Sequence, residues 1–515
     1  MHSNQIFEET RQKGAARGFV EFFQVSGLYG YRNISLNSPY AATILIAKNG
    51  SSKTTFLGVM DAFLKREFSR LRDVDFREIR CKISGSDEEL ILTKENILAL
   101  FDLPVDGDIS KAARRYEVDP LKLVRFLENF SRLRDDYYAL REDPVFSAVE
   151  KKVGFRLNDI TNVFDKLLEG YFEHNETCKH IDELLKVALN GVEIVYLPTY
   201  RRVELSLNQD DDEPTYGRRR RRPKFLMTGS GLFTGDIQFG LSDISDRLSD
   251  LNREILVNSN TGYRRISAAI INDMIDGVLE KANFEPGELP DKEDLNLFFS
   301  RLKEGSKRLP FEEVTPPKLD RLYAGEPMET GSSKFLSYFL SKLNSVIKTT
   351  KDIELPIEEF IASCNKYLSA QDPTTNARAA EINERDVNAD DKVLRLDRRT
   401  LKVHAASVST QRKIALDALS SGEKQMISLF AKLFLYPGEK IILIDEPELS
   451  LSLDWQKEIL PDVIRAPLCR QVIAITHSPF IFDNALEPFA TSLQLRVDPR
   501  EVVSQSDQDE DDLSE

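Results

Sequence analysis

The sequence predicts an α/β fold, a mixed sheet with flanking helices, interrupted by a large, mainly helical insertion. Three observations predict it. Near the start, the β-branched and apolar residues 43–46 lead through a Gly/Ser loop into the apolar-periodic FLGVMDAFL, which reads as strand, loop, helix. Near the end, IILIDEP, residues 453–465 and QVIAITHS read as strand, helix, strand. Much of the chain between them is helical text, as in LKLVRFLENFSRL, with apolar residues three and four apart.

The remaining elements follow in order. Residues 19–24 and 34–36 read as two short strands around the turn SGLYGYRN. Residues 82–172 are expected to be mostly helical, and VEIVYLP is a strand ending near Pro198. Four acids at 210–213, five arginines at 218–222 and then Pro223 mark a long exposed loop. Helices are expected at 242–256 and 266–282, then a Pro/Gly-rich break, NFEPGELPDKED, and more helix. Residues 371–392 are polar and loop-like; VLRLD and LKVHA are paired strands ahead of a helix at 422–435. No fixed-period repeat is visible.

Composition excludes several classes. The 515 residues carry 85 acids and 70 bases, a net charge of −15. Seven of those acids lie in the last fifteen residues, so the body is only mildly acidic and global charge gives no argument for nucleic-acid binding. No apolar run approaches the roughly 18 residues of a membrane helix. The start, MHSNQIFEETRQKG, lacks the apolar core of a secretory leader. Cys81, Cys178, Cys364 and Cys469 form no CxxC pair, which fits a reducing cytoplasm, and a cytoplasmic location is expected. An integral membrane protein, a disulfide scaffold and a wholly disordered chain are excluded.

The chemistry concentrates in four short segments. AKNGSSKTT, residues 47–55, is the phosphate-loop pattern G-x-x-x-x-G-K-[ST] with Ala47 and Ser52 in place of its glycines. Asn49, Gly50, Ser51, Ser52, Lys53, Thr54 and Thr55 are the candidate ATP-binding residues there: backbone N–H groups cradle phosphate, Lys53 reaches the β- and γ-phosphates, and Thr54 ligates Mg²⁺. The other reading of this segment alone is a Ser/Gly-rich helix cap. IILIDEPE delivers Asp445, a Mg²⁺ ligand through water, and Glu446, which orients or deprotonates the attacking water. In LSSGE, Ser420, Ser421, Gly422 and Glu423 open a helix whose N–H groups can hold an anion; an ordinary Ser N-cap is the bland alternative. ITHSPF ends a strand in His477.

With these segments in hand, the order phosphate loop, LSSGE, acid-ended strand and strand ending in His resembles the ABC-type ATPases. DEPELSLSLDWQKEIL, GLYGYRNISL and IQFGLSDI resemble their soluble SMC-like and OLD-like members. The resemblance covers roughly residues 18–75, 190–260 and 390–490. It implies ATP and Mg²⁺ as cofactors, Glu446 and His477 as catalytic residues, Glu448 to Leu451 as a loop crossing a dimer interface, and two heads sandwiching ATP head to tail. No Toprim nuclease domain of the OLD-like kind is expected beyond His477, and on that expectation the chain further resembles the PtuA-type ATPases of Septu and retron-associated antiphage systems. That family implies an HNH nuclease partner, with a retron reverse transcriptase and its msDNA, or nucleic acid, as further partners, and no membrane. A RecF/SMC-like DNA-repair ATPase and an ATP-binding scaffold with negligible hydrolysis are the alternatives.

The expected organisation is an ATPase head assembled from chain ends: 1–80 with the phosphate loop, 81–190 a helical insertion, 191–260 a return to the head with the charged loop, 261–390 a helical arm or lobe, 391–495 the rest of the head, and 496–515 an acidic disordered tail. Slow hydrolysis is expected, because a β-carbon at Ala47 and Ser52 crowds the loop. Arg218 to Arg222 could bind phosphate or be neutralised by the neighbouring acids. Tyr29 and Tyr31 could stack on adenine or pack the turn. His174, Cys178 and His180 lack a fourth ligand for zinc.

Overall fold

The computed structural model describes residues 2–48, 50–134, 140–141, 143–154, 156–172, 175–198, 232, 241–277, 288–306, 323, 330–368, 392–400, 402–449 and 451–498. Asn49, His174, the charged loop at 208–224 and the acidic tail lie outside the described residues.

The chain runs α1 (His2–Gly14), β1 (Val20–Leu28), β2 (Arg32–Asn37), β3 (Ala42–Ile46), α2 (Lys53–Leu64), β4 (Glu78–Ile83), β5 (Glu89–Thr93), α3 (Lys94–Phe101), α4 (Asp108–Tyr116), α5 (Pro120–Leu133), α6 (Pro144–Val153), α7 (Leu157–Phe172), α8 (Glu176–Ala188) and β6 (Val192–Leu197). It continues through α9 (Leu241–Ile275), α10 (Lys292–Ser306), α11 (Thr330–Leu368), β7 (Lys392–Asp397), β8 (Lys402–Ser407), β9 (Lys413–Ile414), α12 (Ser421–Leu435), β10 (Glu439–Asp445), α13 (Leu453–Arg465), β11 (Cys469–Thr476), β12 (Ala490–Ser492) and β13 (Gln494–Val497). Two compact units result: Met1–Gln238 with Gly438–Glu515, and Phe239–Pro437. The second boundary falls inside the segment 391–495 that the sequence reading treats as one piece.

The α/β class holds, and in the first unit the strands divide between two sheets. One is parallel, in the order β12-β3-β11-β10-β6; the other is antiparallel, in the order β13-β2-β1-β4-β5. The parallel strands read as apolar runs because both faces are covered. Register sets their ends level: Ile46 pairs with Thr476, and Asp445 with Ile475. Residues 47, 446 and 477 therefore all emerge at one edge of the sheet.

Two sequence expectations need correction. Residues 82–93 are not helical but complete the hairpin β4–β5. Ile79, Cys81 and Ile83 alternate with exposed or half-buried neighbours, as do Leu90 and Leu92, and a period of two wins over the helical text that begins at Lys94. The helices expected at 242–256 and 266–282 are one continuous helix, α9. Its polar middle stays helical, with Ser259 Oγ donating to the Ile255 carbonyl and Asn260 Nδ2 to the Leu256 carbonyl one turn back.

Gln471 of β11 ties the two sheets together. It is fully buried, and its Oε1 accepts from the backbone N–H of Phe19 (3.0 Å) and of Val20 (2.8 Å). Its Nε2 donates to the Val20 carbonyl and to Ser38 Oγ. Gly18 permits the approach: a β-carbon there would stand 2.6 Å from the carbonyl oxygens of Ser38 and Tyr40.

Helices α3–α8 add a helical layer cored by aromatic residues such as Phe126 and Phe164, whose ring centroids lie 4.7 Å apart. Within it, buried Glu128 of α5 accepts from the Ser69 N–H (3.0 Å), the Ser69 hydroxyl and Tyr171 Oη (3.1 Å). Burial outweighs these bonds and pushes its carboxyl up from 4.5 to about 8. In the second unit α9, α10 and α11 share an apolar core, and Arg301 and Glu354 form a buried ion pair at 2.7 Å. Asn365 of α11 holds the Leu394 backbone of β7 through both its N–H (2.6 Å) and its carbonyl (2.9 Å). No helix of the described residues is long and apolar enough to cross a membrane.

Two predictions follow from buried polar groups. Gln471→Leu strands two buried N–H donors, each costing about 1–3 kcal/mol, so denaturant unfolding should show a loss of about 2–6 kcal/mol; an unchanged midpoint would contradict the tie. For Glu128 the folded state keeps a proton that the unfolded state releases. Its contribution is complete below pH 4.5 and lost as pH rises toward about 8. The stability of the native chain minus that of Glu128→Gln should therefore fall between pH 5 and 8, and a flat difference would sink the assignment.

Candidate nucleotide-binding site

The phosphate loop leaves β3 at Ala47, which is buried and donates its N–H to the Thr476 carbonyl at 3.0 Å. Gly50 has φ +81°, and a β-carbon there would meet nothing within 4 Å, so the loop leaves an open cradle. Ser52 caps α2 with φ 61° and ψ 28°, the left-handed region. The glycine-for-serine difference seen in sequence thus falls on a position where glycine is preferred. Ala47 has no positive φ, and the expected strain does not extend to it.

Arg32 of β2 explains how Ser52 stays there. Its guanidinium donates to the Gly50 carbonyl (3.0 Å) and to Ser52 Oγ. Left-handed backbone costs a non-glycine residue about 1–2 kcal/mol. Hydrogen bonds from a charged donor contribute about 1.5–3 kcal/mol, so the clamp wins. Arg32 also lies over the Tyr31 ring, 5.1 Å from its centroid, and the Tyr29 hydroxyl meets Thr55 Oγ1 at 2.9 Å. The Tyr29 ring itself is exposed. The sequence reading missed Arg32; its only signal was a cation in the hairpin GLYGYRNISL.

The parallel sheet brings the acids to this loop. Lys53, 5% exposed, places Nζ 2.6 Å from Glu446 Oε1. Thr54 donates Oγ1–H to Asp445 Oδ2 at 2.5 Å, and Asp445 is fully buried. Glu446 also has positive φ, 53°, and its N–H is held by the Ile475 carbonyl at 2.8 Å. His477 Nδ1 stands 3.9 Å from Glu446 Oε1, beyond hydrogen-bond reach, and 2.8 Å from Glu448 Oε1. The Glu448 carboxylate is buried within the chain.

These residues suit a magnesium-bound nucleotide. Ser51 Oγ is buried with no hydrogen-bond partner among the described residues, so its hydrogen-bonding capacity in this loop is unused. Thr54 and Asp445 are hard oxygen donors of the kind Mg²⁺ takes when phosphates and waters complete its shell.

Ser420, Ser421, Gly422 and Glu423 belong to the other compact unit. Ser420 N-caps α12 in a capping box: its Oγ accepts from the Glu423 N–H, and its own N–H donates to Glu423 Oε2 at 2.6 Å. Lys392 of β7 adds an ammonium 3.0 Å from Glu423. Burial alone would raise the Glu423 carboxyl, but the Ser420 bonds and Lys392 outweigh it and hold it below its ordinary value. Lys392 carried no signal in sequence. Of the residues weighed for zinc, His180 pairs with Glu88 at 2.8 Å and Cys178 is buried; His174 lies outside the described residues.

The effect of removing the Ser52 side chain should depend on Arg32. Ser52→Gly should alter unfolding free energy by less than about 1 kcal/mol, because relief of strain offsets the lost Arg32 bond. In an Arg32→Ala background the same substitution should stabilise by about 1 kcal/mol. Chemical denaturation of the four proteins measures this; equal effects in both backgrounds would contradict the clamp.

Comparison with known proteins gives one partial family match and one solved structure. The family described as "AAA domain, putative AbiEii toxin, Type IV TA system" matches residues 296–483, a span holding LSSGE, Asp445, Glu446 and His477 but not Lys53. No curated protein sequence matches the chain. Among solved structures, the Smc head domain with an extended coiled coil, bound to the C-terminal domain of ScpA, from Pyrococcus furiosus is 12% identical, with 93% of this chain and 96% of that chain covered and a TM-score of 0.31. The family match, with the convergence of Lys53, Thr54, Asp445 and Glu446, supports an ATP-binding ATPase.

Proposed function

We propose that the chain binds Mg-ATP between two copies arranged head to tail, hydrolyses it slowly, and thereby regulates a separately encoded HNH nuclease in antiphage defence. The observation that carries the ATPase part is the convergence of Lys53 on Glu446 and of Thr54 on Asp445 at one sheet edge. Lys53 would grip the phosphates, Thr54 would hold the ion, and Asp445, hydrogen-bonded to Thr54, would hold it through water. Bound Mg²⁺ supplies charge neutralisation at the phosphates. Glu446 orients the attacking water or takes its proton. Ser420, Ser421 and Gly422 of a second copy cover the γ-phosphate with the N-terminus of α12. The defence role rests on the sequence resemblance to PtuA-type ATPases; a reverse transcriptase and its msDNA are further partners on that reading. Control of a nuclease requires that ATP favour one pair geometry over another.

Two details of the site set the expected kinetics. The Lys53–Glu446 ion pair must open before a phosphate can take the ammonium. Ser52 holds the loop with a side chain where glycine is preferred, and a misplacement of about 1 Å can cost on the order of a hundredfold in rate.

Glu446→Gln should lower turnover by about 100-fold or more while ATP binding persists or tightens, with paired chains accumulating in light scattering. Unchanged turnover would remove Glu446 from the mechanism. Ser52→Gly should raise the rate and Ala47→Gly should not; rates for both within about threefold of native would end the slow-loop account. A co-purified nuclease whose cutting ignores ATP would end the regulatory one.

A further inference from the structure

The buried carboxylate of Glu448 is engaged by the segment that carries His477. Its Oε1 accepts the His477 backbone N–H at 3.0 Å and lies 2.8 Å from Nδ1 of the same residue. Its Oε2 accepts from Thr476 Oγ1 at 2.8 Å, and that oxygen in turn accepts from the Ser478 N–H at 2.9 Å. Gln456 of α13 closes the arrangement: its Oε1 accepts from Ser478 Oγ at 2.8 Å, and its Nε2 donates to the Leu451 carbonyl at 3.1 Å. The turn after β10 and the turn after β11 are thus joined through one carboxylate.

The chemistry of that contact is directional. An ionised carboxylate only accepts hydrogen bonds, so the imidazole nitrogen facing it must carry a proton. A neutral ring with a bare Nδ1 would set a lone pair against the carboxylate. The His477 side chain is 44% exposed, and Glu448 Oε1 is its near carboxylate partner. Which nitrogen of a histidine carries the proton is set by the partner of the other.

We propose that Glu448 is a positioning residue that locks His477 as the Nδ1–H form and leaves Nε2 as the nitrogen through which it meets the nucleotide. The proposal rests on the ATPase reading for its consequence and on the carboxylate contacts for its content. In the locked ring Nε2 accepts a hydrogen bond from water. On gaining a proton there, the ring donates from Nε2 to a phosphate oxygen while Nδ1–H stays on Glu448. Glu448 acts on the nucleotide through the imidazole it orients.

The test separates this role from a general structural one and from failure of the ATPase reading. Two-bond ¹⁵N–¹H spectra of the full chain, labelled at its five histidines and assigned with His477→Ala, report the tautomer directly. The native His477 should show the Nδ1–H pattern, Glu448→Gln should retain it through its amide oxygen, and Glu448→Ala should lose it. A native Nε2–H pattern overturns the proposal even if the alanine variant fails to fold, as does an unchanged pattern in a folded Glu448→Ala. For turnover, Glu448→Ala should lower kcat by about ten- to a hundredfold with KM little changed, and should add no further loss in a His477→Ala background. An equal further loss there would show that Glu448 acts elsewhere. Absence of turnover in native chain and variants alike would remove the ATPase reading, and the spectra alone would then decide the role of Glu448.

Discussion

The level register of β3, β11 and β10 is the constraint on which the rest of the site depends. Ile46 pairs with Thr476, and Asp445 with Ile475, so three chain segments far apart in sequence leave the sheet at one edge. A slip in a parallel pair would carry Asp445 away from Thr54 and Glu446 away from Lys53. The strands are buried on both faces, so a slip would also disturb the core. Gln471 reinforces the arrangement from the far side by binding the start of β1 to β11.

At that edge the chain accepts backbone strain where a ligand is expected. Ser52 and Glu446 both adopt positive φ without being glycine, and each has a specific support: the Arg32 guanidinium for one and the Ile475 carbonyl for the other. Left-handed residues persist where surrounding bonds over-determine them, and they collect at functional sites. The ion pair between Lys53 and Glu446 keeps two charged groups satisfied in a largely buried setting. The same pair makes the ammonium available only to a ligand that can compete for it.

Much of this was legible in the sequence because short motifs report local geometry. The strand–loop–helix at 43–64, the acid-ended IILIDE and the His-ended VIAITH each fix their own element, and their common sheet follows from the chemistry they share. The antiparallel hairpin β4–β5 was not legible, since its alternation is brief and abuts the helical text of α3. Nor were Arg32, Glu448 and Lys392. Each acts across a tertiary contact with a residue far away in the chain, and a lone charged side chain gives no periodic signal. Ala47 and Ser52 looked equivalent in sequence, and only the backbone angles separate them.

The central claim is that this sheet edge holds Mg-ATP through Lys53, Thr54 and Asp445. Calorimetric titration of the full chain with ATP, with and without Mg²⁺, tests it most directly. The account predicts binding that is strengthened by Mg²⁺, abolished by Lys53→Ala, and left without its Mg²⁺ dependence by Thr54→Val or Asp445→Asn. ATP binding of equal strength in the native chain and in Lys53→Ala would contradict it.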